Sequence, residues 1–166
     1  MITGRFYRST RMQPVNQGAI GCKVLITRWL EGRPIDAHLA SELRAAFPPE
    51  GEEFRALAVA AAAEVDSGRI GRRIDETTIY ARLHQPTPQS CGFSVDIVKL
   101  TNVKGALHRH PRGEIDMIVP LDPSARFAGH GRGWLTFGPG SIHRPVVTGG
   151  SAIVVYLLPG GEMTFG

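Results

Sequence analysis

Two short segments, His108-Arg109-His110 with Glu114 close behind and Gly138-Pro139-Gly140-Ser141-Ile142-His143, limit what this chain can fold into. Three imidazoles and one carboxylate at this spacing can converge on one divalent ion if both segments lie in adjacent β-strands. Residues two apart on a strand project to the same face, so His108 and His110 point together while Arg109 points away. Pro111-Arg112-Gly113 makes a natural break, and Glu114 opens the next strand in Ile115-Asp116-Met117-Ile118-Val119. Neutral imidazoles with one carboxylate suit zinc, iron, manganese, nickel or copper, and coordination positions left over can take water or substrate. The same side chains can also surround a catalytic water with no metal, or form a hydrogen-bonded strand end.

The spacing resembles the two cupin motifs. Gly105 with His108, His110 and Glu114 matches the first, and Gly133, Pro139, Gly140 and His143 match the second. Gly105 stands closer to His108 than the usual pattern has it, and Val147 occupies a position where many cupins carry Asn. The resemblance implies an antiparallel β-barrel or jelly roll, and a homodimer, since such barrels commonly pair through edge strands.

Periodicity divides the chain. Residues 1–21 carry Arg5, Arg8 and Arg11 among polar residues with no period and read as a flexible arm. Residues 22–72 read as a helical cap: a first helix from Val24 with Leu25, Trp29 and Leu30 on one face, a second capped by Asp36 with Leu39, Leu43 and Phe47, and a third from Glu52 to about Ser67. Residues 73–166 read as a β-barrel in one compact unit with the cap. Thr78 to His84 and Gly92 to Leu100 alternate, and further strands are predicted near 106–110, 114–120, 133–137, 144–147 and 151–158.

Composition narrows the partners. The chain has 166 residues, enough for one domain with a sizeable core, and a formal charge of +4. Its arginines are scattered, with no basic stretch interleaved with aromatics, so a small anionic ligand fits the charge at least as well as nucleic acid. Cys22 and Cys91 stand far apart with no C-x-x-C spacing, which points to free thiols. The N-terminus lacks a signal-peptide apolar core, and the longest apolar run, Leu57 to Ala63, is too short for a bilayer, so the expectation is a cytoplasmic protein with no membrane partner.

A closer resemblance covers Arg33 to Phe165. Gly92-Phe93-Ser94-Val95-Asp96, His108-Arg109-His110-Pro111, Gly113-Glu114-Ile115-Asp116-Met117, Gly133-Trp134-Leu135, His143-Arg144-Pro145-Val146-Val147 and Tyr156-Leu157-Leu158-Pro159 are similar to the 4-hydroxylaminobenzoate lyase family of nitroarene-degrading bacteria. The resemblance implies a carbon–nitrogen lyase that converts 4-hydroxylaminobenzoate, or a related hydroxylaminoaryl carboxylate, to 3,4-dihydroxybenzoate and ammonia. On the spacing and strand alternation, the metal ligands would be His108, His110, Glu114 and His143, with Glu114, Asp116 and His110 as the catalytic candidates.

Several residues carry two readings. Asp116 shares a face with Glu114, and an inward carboxylate is costly unless paired, so it is either an acid/base group or the partner of an arginine. Arg82, on the polar face of Tyr80, Arg82 and His84, is either a bidentate site for a benzoate carboxylate, with Tyr80 beside it, or a solvated residue. Trp134 is a candidate for stacking on a substrate ring, though Trp134 and Phe137 read more readily as core. The alternatives to the lyase are a metal-dependent cupin dioxygenase or isomerase of a small aromatic or sugar acid, and a non-catalytic sensor of a small ligand.

Overall fold

A computed structural model describes residues 17–68 and 72–166. Three helices come first: α1 (Gln17–Leu30), α2 (Leu39–Ala46) and α3 (Glu52–Ser67). Residues 1–16 of the expected arm lie outside the described residues, and 17–21 form the first turns of α1. The Asp36 carboxylate accepts the N–H groups of His38 (2.8 Å) and Leu39 (3.2 Å), satisfying donors that α2 leaves open at its start. Gly68, at φ +60°, ends α3 in the left-handed conformation.

The strands follow in chain order: β1 (Arg72–Arg73), β2 (Thr78–His84), β3 (Phe93–Lys104), β4 (His108–His110), β5 (Glu114–Pro120), β6 (Arg126–Phe127), β7 (Gly133–Phe137), β8 (Ser141–His143), β9 (Val146–Pro159) and β10 (Thr164–Phe165). They form a seven-stranded sheet in the order β1-β2-β3-β9-β5-β7, with β6 also on β9, and a three-stranded sheet β10-β4-β8. All the pairings are antiparallel. This is the mainly β jelly roll with N-terminal helices that the motifs imply. Among the described residues the two sheets do not close into a continuous barrel.

The large sheet is covered on one face by helices, and that decides which residues point inward. Leu39, Leu43, Phe54 and Ala61 from the helices pack with Ile115, Met117, Val155 and Leu157 of the sheet in one core. The opposite parity, Ile118, Val154 and Leu158, packs with Phe127 and Val147 in a second core. A strand with packing on both faces is apolar on both, and β5 is accordingly buried along nearly its whole length. Glu114 and Asp116 share the face of Ile118, away from the helices.

The strands differ most from expectation at β9, and β6, β8 and β10 stand where none is predicted. Segments near 144–147 and 151–158 were predicted to be separate, but β9 runs unbroken from Val146 to Pro159. Gly149 (φ +74°) and Gly150 (φ +128°) let the strand bend without ending, and a Cβ at either would strike Ser124 or Asp122. The partner strand bulges at the same level, where the Asn102 side-chain oxygen accepts the N–H of Gly150 at 2.9 Å.

Candidate active site

β4 and β8 bring the histidines together. In their antiparallel register His108 lies opposite His143 and His110 opposite Ser141. His108 and His110 are buried while Arg109 between them is exposed. The Gly140 N–H donates to the His110 carbonyl at 2.8 Å, which pins the Pro139-Gly140 turn to β4 and fixes where β8 starts. Gly105 lies against the chain after His143: its N–H donates to Pro145 O at 2.8 Å, and a Cβ would come within 2.6 Å of the Pro145 ring. The turn at Pro111-Arg112-Gly113 then carries the chain from the small sheet to the large one, delivering Glu114 to the histidines.

Ligand atoms of His108, His110, Glu114 and His143 all lie within 4.8 Å of one another. One Glu114 oxygen touches His110 Nε2 and the other stands 3.3 Å from His143 Nε2. His108 Nδ1 faces the Ala106 carbonyl at 3.1 Å. A carbonyl only accepts, so Nδ1 carries the proton and Nε2 is left as a lone-pair donor, the arrangement that orients a metal-binding imidazole. The Phe137 ring lies on His143 with centroids 4.0 Å apart.

A divalent cation fits this site on the chemistry of its atoms. His110 Nε2, His143 Nε2 and Glu114 Oε1 are buried and, beyond their contacts with one another, have no hydrogen-bond partner among the described residues. Burying such atoms unsatisfied is costly, and a shared cation satisfies all of them together. Burial alone would raise the Glu114 carboxyl, but His110 and His143 outweigh it and hold the group at about 2. Burial lowers His108, keeping its imidazole neutral. The set does not select among the divalent metals.

Asp116 belongs to a second group. Its carboxyl is fully buried, neither oxygen has a hydrogen-bond donor among the described residues, and its nearest charged neighbour is Glu114. Burial first, and the Glu114 charge second, raise it well above the usual carboxylate range. On the sheet Asp116 is the cross-strand partner of Tyr156, Tyr156 of Asp96, and Asp96 of Arg82. One rung therefore carries Arg82, Asp96, Tyr156 and Asp116 across four strands. Arg82 Nε and Nη2 donate to the two oxygens of fully buried Asp96 at 2.7 and 2.9 Å, and Nη2 also donates to Gly161 O at 3.0 Å.

A cavity of about 780 Å³ opens beside this rung, walled by Tyr80, Arg82, His108, Tyr156, Met163 and Phe165. Of the four candidate ligands, His108 is the one on its wall. Arg82 and Tyr80 thus face the cavity that reaches His108. Trp134 is not brought there: it lies on the helix side of β7, donates from its indole N–H to Phe47 O at 2.8 Å, and packs edge-on against Phe54. Asp96 and Tyr156 were missed as site residues. The alternation of β3 turned Asp96 inward, but its partner depended on a register that no local pattern contains.

Comparison with known proteins agrees with the resemblance. The family model described as PnbB, 4-hydroxylaminobenzoate lyase, matches residues 23–165. A 4-hydroxylaminobenzoate lyase of Nocardioides sp. (strain LMS-CY) is 31% identical over 166 aligned positions, covering 90% of this chain and 94% of that protein. One from Pseudomonas putida is 33% identical over 100 positions, 51% of this chain and 57% of that protein. Among solved structures, an acetylacetone dioxygenase from Acinetobacter johnsonii aligns with a TM-score of 0.43 at 14% identity, over 57% of this chain and 70% of that one. No described helix is long and apolar enough to cross a membrane.

Proposed function

This chain belongs to the 4-hydroxylaminobenzoate lyase family, and we propose that it converts 4-hydroxylaminobenzoate and water to 3,4-dihydroxybenzoate and ammonia. The observation that carries the reading is the rung itself: a guanidinium on the cavity wall at one end, a buried carboxyl at the other, and three histidines with Glu114 alongside. Neighbouring strands are roughly 4.8 Å apart, so the rung is long enough for a para-substituted benzoate to address both ends.

In this reading the substrate carboxylate docks at Arg82 and Tyr80. Arg82 Nε and Nη2 are committed to Asp96 and Gly161, which fixes the plane of the guanidinium and leaves Nη1 for the ligand. The ring occupies the apolar part of the cavity and the N-hydroxyl group points toward Asp116 and the histidines. A proton delivered to the hydroxyl oxygen lets the N–O bond break with its electron pair on oxygen, which leaves as water. Water adds to the ring carbon next to the one bearing nitrogen and returns a proton. A second water hydrolyses the resulting C=N bond, ammonia departs, and loss of the ring proton to oxygen restores the aromatic catechol. Asp116 is the group assigned to hold and deliver the proton, with Glu114 and His110 beside it. A divalent metal held by His108, His110, Glu114 and His143 would supply Lewis-acid polarisation there.

Incubation of the purified protein with 4-hydroxylaminobenzoate tests this. Equimolar ammonia and 3,4-dihydroxybenzoate are expected. Accumulation of 4-amino-3-hydroxybenzoate without ammonia, the product when the ring rearomatises before hydrolysis, would overturn the lyase assignment. The same reading includes a homodimer, which sedimentation of the purified protein checks.

A further inference from the structure

We propose that Tyr156 is a catalytic residue of this reaction, its hydroxyl donating a hydrogen bond to the oxygen of the substrate's N-hydroxyl group. The proposal rests on the lyase reading, in which Asp116 delivers the proton, and adds a hydrogen-bond donor fixed at the same oxygen. Tyr156 lies between Asp96 and Asp116 on the rung and lines the cavity. Its neighbours in that wall have other tasks: Arg82 holds Asp96 and Gly161 and keeps Nη1 for the substrate carboxylate, and the N–H of His108 goes to Ala106. Among the described residues no hydrogen bond engages the Tyr156 hydroxyl, and it is not among the atoms sealed away from solvent without a partner.

The surroundings suit a donor that keeps its proton. Burial, and then the charges of Glu114, Asp116 and Asp96, push the phenol well above its usual range, so it meets the ligand as O–H. The ring is held in the long central strand β9 and packs against Phe127 at 6.3 Å between centroids, so the hydroxyl is rigidly placed. As the N–O bond breaks, its electron pair moves onto the departing oxygen, which takes up one proton and leaves as water. The cationic arylnitrogen then adds water at the adjacent ring carbon and gives one proton back. A fixed O–H aimed at that oxygen is worth more in the transition state than in the ground state, because negative charge builds there.

The test is Tyr156→Phe, which keeps the ring and its packing. Ammonia release from 4-hydroxylaminobenzoate should fall about 100-fold in kcat, while the dissociation constant for 4-aminobenzoate, which lacks the N-hydroxyl oxygen, stays within about twofold. A melting temperature close to that of the parent shows that the fold is intact. If the parent releases ammonia and Tyr156→Phe does so at the same rate, the Tyr156 assignment is overturned and the lyase reading stands. Equal losses in 4-aminobenzoate binding and in turnover also overturn it, placing Tyr156 in ring binding. A parent that releases no ammonia overturns both.

Discussion

Asp96 grips Arg82 with both carboxylate oxygens, at 2.7 and 2.9 Å, and is itself fully buried. The arginine assigned to the substrate carboxylate is therefore also the counter-ion of a carboxylate that has left water. Removing Arg82 alone strands that charge, which costs on the order of 3 kcal/mol or more. Arg82→Ala is thus expected to lower the melting temperature as well as affinity. The cleaner probe is Arg82→Gln with Asp96→Asn, which removes both charges and keeps hydrogen-bonding capacity. Its dissociation constant for 4-aminobenzoate is expected to rise roughly thirtyfold. An unchanged constant in calorimetry would move the carboxylate site elsewhere.

Replacing both His108 and His110 with Ala should reduce bound metal, measured by elemental analysis, to about a tenth of the parent's or less. The parent offers an independent readout. A cation at 100 times its dissociation constant adds about 2.7 kcal/mol to stability, so chelation should lower the melting temperature by roughly 5 to 10 °C. A full metal complement in the double variant would sink the site.

Asp116→Asn should move stability and activity in opposite directions. A carboxyl raised in the native state binds its proton more tightly folded than unfolded. Its contribution to stability is then fully present below the unfolded value of about 4 and is lost as pH rises toward the native value. Asparagine does not titrate. In metal-free protein the variant should melt above the parent, by a gap that widens as pH rises above about 4. Turnover should fall by about two to four powers of ten. Near-normal turnover would make Asp116 a structural group.

Trp134→Phe separates core from site. It leaves the Phe47 carbonyl without its buried donor and is expected to cost about 1 to 3 kcal/mol in denaturant unfolding. Because Trp134 lies on the helix side of the sheet, kcat/KM should stay within about twofold of the parent. A KM raised tenfold would return Trp134 to the substrate.

Local order was legible because it follows from local physics. The strand parity of His108 and His110, the break at Pro111-Arg112-Gly113 and the inward turn of Glu114 and Asp116 depend on neighbours a few residues away, and the folded chain keeps all of them. The helix starts and stops at Asp36, Glu52 and Gly68 are of the same kind. The sequence by itself therefore determined which four side chains could converge, His108, His110, Glu114 and His143, and the jelly-roll class. Tertiary structure decided who stands beside whom. β9 pairs with both β3 and β5, so Tyr156 comes between Asp96 and Asp116 although 60 residues separate it from the first and 40 from the second. The same long-range register gave Arg82 its partner and put Trp134 behind the sheet, with Phe137 rather than Trp134 against His143. Period-2 alternation tells which side of a strand a residue faces. Only the pairing of distant strands and the helices covering one face tell what lies on that side.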